Sequence, residues 1–151
     1  MNAELLVWPI IACALLGAAI DLKEQRLPNW LSLLSAIVAG THTALVNGVD
    51  GLISALLHCG LALVVGMGLF RIGFVGGGDA KFYAALAIAF PIGVALPFLG
   101  WTSLVGLLLV LAMITFRIIR KTAMGHEIGV LKFSVPYGIA IGGGAIITLL
   151  R

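Results

Sequence analysis

Six apolar runs separated by short polar or glycine-rich breaks fill almost the whole chain: Leu5 to Ile20, Pro28 to Asn47, Gly51 to Phe70, Ala80 to Ile92, Leu96 to Phe116 and Phe133 to Leu150. A helix that crosses a bilayer uses about 20 residues, and in hydrocarbon a chain must satisfy its backbone polar groups within the segment, which favours helices. Six such spans in 151 residues leave only about 30 for loops, so no sizeable soluble domain fits on either side. Hydrophobic residues make up 62% and charged residues 10% of the chain, against roughly 25% charged in a soluble domain. A soluble globular enzyme, a disordered tail and a nucleic-acid binder are excluded. The pattern predicts an all-α integral membrane protein, a single domain over 1–151 built as a bundle of about six transmembrane helices. Pro91 and Pro97 blur the division between the fourth and fifth spans.

The basic residues orient the bundle, because Lys and Arg stay on the cytoplasmic side of short loops. Eight of the nine fall in alternate connections: Lys23 and Arg26, then Arg71 and Lys81, then Arg117, Arg120, Lys121 and Lys132. The exception is the last residue, Arg151. Loop parity and charge agree on six spans, with both termini outside the cytoplasm and three basic loops inside. The stretch from Arg117 to Lys132 is expected to lie on the inner leaflet and attract anionic lipid, and Glu127 within it is a candidate partner for a basic peptide. Met1–Glu4 holds no Lys or Arg, so the first run does not read as a secretory signal.

Small residues at helical spacing, Gly138 with Gly142 and Ala14 with Ala18, let helix backbones approach closely in lipid. Packing within one chain is the expectation, a homodimer face the lesser one. Cys13 and Cys59 lie inside apolar runs with no C-x-x-C pair, so neither a zinc site nor a disulfide framework is expected. His42 and His58 lie in the second and third spans, where structural polar contacts, to each other or to a buried water, are expected ahead of a proton path. Trp8, Trp30 and Trp101 fall near span ends, as interfacial anchors do.

Two acids stand out at the junction of an apolar span and a basic loop: Asp21 in Ile20-Asp21-Leu22-Lys23, and Asp79 in Gly76-Gly77-Gly78-Asp79-Ala80-Lys81. The predicted topology puts both at the same depth on the cytoplasmic side. Ionisable groups at this depth are expensive and point to function. Two neighbouring carboxyls share a proton, so one can take a proton from water while the other protonates a scissile carbonyl. Helix dipoles suggest that Asp79, at a helix start, is the base and that Asp21, at a helix end, is the acid, while Lys23 and Lys81 are placed to stabilise both anions. The plainer alternatives are a helix N-cap for Asp79 and a solvated loop residue for Asp21. The Gly76–Gly78 run lacks the Lys-Ser or Lys-Thr of a phosphate cradle. It suits flexible backbone that approaches a substrate strand or lets Asp79 reach Asp21.

These residues resemble a known family. Gly76-Gly77-Gly78-Asp79-Ala80-Lys81 is similar to the G-x-G-D motif of intramembrane aspartyl proteases. Asp21 followed by Arg26-Leu27-Pro28-Asn29 resembles the first-aspartate motif D-x(4)-R-[IL]-P-N of type IV prepilin peptidases. Val135-Pro136-Tyr137-Gly138 resembles the P-[YF]-G element of that family's last span. The resemblance implies catalytic Asp21 and Asp79, with Gly76, Gly77, Gly78, Lys23, Lys81, Pro28, Asn29, Pro136 and Gly138 in binding or supporting roles; Asn29 is a candidate to orient the Asp21 carboxyl. It implies no metal and no cofactor. The implied substrate is a prepilin with a short basic leader, cut after Gly, with Glu at the fifth mature position. The setting is the bacterial inner membrane, pilus assembly machinery is a candidate partner, and no nucleic acid is involved. Long members carry an insertion with two C-x-x-C pairs and also methylate the new N-terminus. Lys23 to Pro28 leaves no room for that insertion, so methyltransferase activity is expected to be absent. The size is similar to short members that process tight-adherence (Flp-type) prepilins. An archaeal-type preflagellin peptidase is the near alternative. A small proton-coupled transporter or a pilus assembly subunit is the alternative of a different class.

Overall fold

The computed structural model describes residues 3–124 and 135–151, all-helical throughout with turns between the helices. The order is α1 (Ala3–Glu24), α2 (Asn29–Arg71), α3 (Gly77–Ala87), a 3-10 turn (Ile92–Val94), α4 (Ala95–Met124) and α5 (Tyr137–Leu149). Glu127 and Lys132 of the expected inner-face stretch lie outside the described residues. Arg117 and Arg120 do not begin a loop as expected, because α4 continues past Phe116 to Met124.

The 43 residues of α2 would reach about 64 Å as one straight helix. They do not, because Gly48 breaks the helix with φ 68 and ψ −166, a backbone conformation open to glycine and few other residues. The arms 29–47 and 49–71 are thus about 28 and 35 Å long, each near the thickness of a bilayer core. They match the expected second and third spans. Among the described residues, α2 and the stretch Ile92–Arg120 are long and apolar enough to cross a membrane. α3 and α5, at about 16 and 20 Å, are shorter than the runs that predicted them. Pro91 and the turn around it end the fourth run early, and α5 begins only after Pro136.

The short α3 is the enclosed centre of the bundle, with residues 84–90 all buried. α2 packs along it, α5 packs on α1 and on α4, and α1 meets the start of α2. Small residues make these approaches possible. A Cβ on Gly142 would lie 2.7 Å from the Ala14 carbonyl oxygen, so the Gly138/Gly142 face serves α1 of the same chain. The ring of Phe82, fully buried, occupies the space a Cβ on Gly17 would need. The outer faces are apolar and exposed, with Leu33, Leu57, Val64, Leu107 and Phe116 each more than half open. Among polar solvents such a surface is a liability; in lipid it is the expected one.

The C-terminal end of α3 leaves backbone groups without helical partners, and α2 supplies them. Thr43 Oγ1 donates to the Ile88 carbonyl at 2.7 Å, His58 Nδ1 lies 3.0 Å from the Phe90 carbonyl, and the Ile92 N–H donates to Ser54 Oγ at 3.1 Å. A carbonyl only accepts, so Nδ1 carries the His58 proton. His58 therefore caps α3 instead of pairing with His42. The Arg151 guanidinium sits 5.7 Å from the centre of the Trp101 ring, which gives the one basic residue outside the three basic connections a cation–π partner.

Candidate active site

α1 runs one turn beyond Ile20, so Asp21 lies in the last turn of a helix and not in a loop. That turn closes where Gln25 takes a left-handed φ of 51 and its N–H donates to the Asp21 carbonyl at 2.9 Å, a helix-ending motif. Asp21 sits four residues after Gly17, and Asp79 three residues before Phe82. Residues so spaced share a helix face. The Phe82 ring seated on Gly17 thus brings the two carboxyls towards each other, one turn nearer the same end of the bundle. The segments that carry them also touch. A Cβ on Gly78 would lie 3.0 Å from the Leu27 carbonyl oxygen, and Lys81 Nζ donates to Asn29 Oδ1 at 3.1 Å.

Asp21 is 4% exposed, and its Oδ2 accepts the Gly138 N–H at 2.6 Å. Pro136 occupies the N-cap of α5 and offers no side-chain cap; the Asp21 carboxylate, arriving from α1, fills that role. Gly138 is required here, since a Cβ would fall 2.7 Å from Asp21 Cβ. Asp79 is the third residue of α3, whose N-cap is Gly76. Its carboxylate accepts the Gly76 N–H, the return half of a capping box. A Cβ on Gly76 would overlap Asp79 Oδ2.

Both acids lie just outside the apolar runs, and both titrate above the ordinary carboxylate range. Burial pushes Asp21 up, against the Gly138 hydrogen bond. Burial, and then the negative charge of Asp21, push Asp79 up to about 6, against the Gly76 hydrogen bond. The two carboxyls therefore interact, each raised by burial and each opposed by a backbone donor. α5 adds a contribution at Asp21 that the sequence spacing of 117 residues conceals: the Gly138 N–H in its first turn donates to the carboxylate and favours the anion there.

The supporting residues separate into two groups. Gly76 and Gly138 border the carboxyls directly, whereas Gly77 packs against the Phe70 ring and Gly78 against Leu27. Pro28 and Pro136 stand at the N-caps of α2 and α5, one position ahead of the first-turn place expected for Pro28. Asn29 binds Lys81 rather than Asp21, and Lys23 is exposed. The influences that move the two carboxyls are burial, their mutual charge and backbone N–H donors; neither lysine is among them.

Beside Asp79 opens a cavity of about 310 Å³, walled by the 49–71 arm of α2, by α3, by the first turns of α4 and by the start of α5. Tyr83 and Tyr137 line it, and neither was marked by any sequence motif except that Tyr137 stands within Pro136-Tyr137-Gly138.

The fold and site together define an apolar helical bundle with two interacting carboxyls at one end, each held by backbone N–H groups. The chain belongs to the type IV leader peptidase family, whose model matches residues 8–111. The match takes in Asp21, Arg26 to Asn29 and Gly76 to Lys81, and ends before Pro136. Comparison with curated proteins and with solved structures finds no match. The protein is a type IV leader peptidase-like protease.

Proposed function

We propose that this chain is a membrane-embedded aspartic endopeptidase that removes the short basic leader of type IV, Flp-type prepilins after Gly. It would sit in the bacterial inner membrane as six helical spans, with both termini outside and the Asp21/Asp79 pair at the cytoplasmic face. What carries this reading is the approach of Asp21 and Asp79, two carboxyls from separate helices near enough that the charge of Asp21 raises Asp79, in a chain of the leader peptidase family.

In the resting enzyme Asp21 is the anion and Asp79 the acid. Asp21 takes a proton from water as the water oxygen bonds to the scissile carbonyl carbon, and Asp79 gives its proton to the carbonyl oxygen. In the second step the C–N bond breaks and the leaving amine takes the proton from Asp21. A hydroxyl of the tetrahedral intermediate returns a proton to Asp79. Both carboxyls end as they began, and no metal or cofactor takes part. The scissile carbonyl must leave any helix before attack, because helical hydrogen bonds shield it. Methyl transfer to the new N-terminus forms no part of this activity.

Co-expression with a Flp-type prepilin tests the reading. Gel shift and N-terminal sequencing should show the leader removed after Gly, with Glu fifth in the product. An uncut Flp-type prepilin beside a cut archaeal preflagellin would reassign the substrate. No cut in either, with the protein fully inserted, would favour a transporter or assembly role. Gly76→Ala is expected to slow cleavage by about tenfold, because its Cβ must displace the Asp79 carboxylate and misplaced catalytic groups lose rate steeply. Single-turnover kinetics would measure it.

A further inference from the structure

We propose that the cavity beside Asp79 is the seat of the substrate's membrane-embedded apolar segment, one helical face of which lies between the 49–71 arm of α2 and the start of α4. The proposal rests on the peptidase reading above and names where that enzyme holds the part of its substrate beyond the cut.

The cavity begins at Asp79 and reaches His58, which is bonded to Phe90. From Asp79 to Phe90 is eleven positions, a depth of about 16 Å or three helical turns. A helix of that length, 10 Å across, would fill about 1,250 Å³, more than the roughly 980 Å³ of free space there, part of which lies outside the mouth. The cavity therefore receives one face of a helix and leaves the other to lipid. Its lips are open: Val65 is 53% and Leu99 51% exposed, on the facing sides of the two walls. An apolar segment can enter sideways from the bilayer, with no passage through water.

One observation favours a peptide over a lipid chain. The cavity is continuous with the Asp79 carboxyl, so whatever fills it is delivered to Asp79. An occupant at this depth must satisfy its own backbone, so beyond the cut it is helical.

Val65→Trp and Leu99→Trp fill the cavity from its two lips, and Leu107→Trp places the same ring on the exposed face of α4 outside it. Each full-length variant is assayed in phosphatidylethanolamine/phosphatidylglycerol vesicles on two substrates. One is a complete Flp-type prepilin, and the other is a soluble peptide ending six residues past the cut. Val65→Trp and Leu99→Trp should raise KM for the prepilin tenfold or more, with kcat less affected, and lose at least fivefold less on the peptide. Leu107→Trp should match the wild type on both. An unchanged prepilin KM in the two lip variants, as with a lipid-filled cavity, or equal losses on both substrates, would overturn the proposal while leaving the peptidase reading standing. Wild-type protein that cleaves neither substrate would overturn both.

Discussion

Asp21→Asn and Asp79→Asn are each expected to reduce leader removal by about a thousandfold or more, within the range that positioned acids and bases contribute. The substitution is chosen for what it preserves. Asn still offers an oxygen to the Gly138 N–H at position 21 and to the Gly76 N–H at position 79, so the starts of α5 and α3 keep their caps. What it removes is the shared proton. Because the pair works as a unit, the double variant should be no slower than either single one. Product N-termini and gel shift, read at equal membrane levels of each variant, measure this. Turnover within tenfold of wild type in either single variant would remove that residue from the chemistry.

Cleavage should fall about tenfold for each pH unit above about 6, reaching roughly a hundredfold loss at pH 8. The sign follows from the order of ionisation. With the proposed roles, Asp21 the anion and Asp79 the acid, burial and then the charge of Asp21 hold the Asp79 proton up to about 6. The productive form, one proton on the pair, is lost as that proton leaves. In Asp21→Asn the neighbouring charge is gone, so Asp79 should titrate below about 6, which carboxyl infrared bands would show. The same shift acts on stability. Asp79 is raised from 3.8 to about 6 on folding, so its contribution is fully present below pH 3.8 and is lost as pH rises through about 6. A kcat/KM profile that stays flat from pH 5 to 8 would rule out Asp79 as the resting acid.

Much of this was legible in the sequence. The apolar runs marked the helical segments, and Asp79 after three glycines marked the start of α3. What the sequence hid was contact between distant elements. Nothing near Asp21 announces that residue 138 donates to it, so a reading from the helix dipoles of α1 and α3 leaves out a donor that favours the Asp21 anion. Asn29 follows Asp21 by eight positions and resembles an orienting group, but α2 carries it to Lys81. His58 looked like a partner for His42 until the end of α3 was seen to need a donor. Helix lengths were the other difficulty. Hydropathy does not register that α3 is enclosed by protein and can be short, although it did mark the division at Gly48 between the two arms of α2.

The packing divides the bundle into two bodies. α2 and α3 form one, laced together by Thr43, Ser54 and His58; α1, α4 and α5 form the other, laid against one another through Ala14, Gly142 and Gly144. Asp79 rides on the first body and Asp21 on the second. The two carboxyls stand on opposite sides of a seam that Phe82 closes on Gly17. The two carboxyls thus belong to different bodies, and the distance between them is set by how those bodies pack.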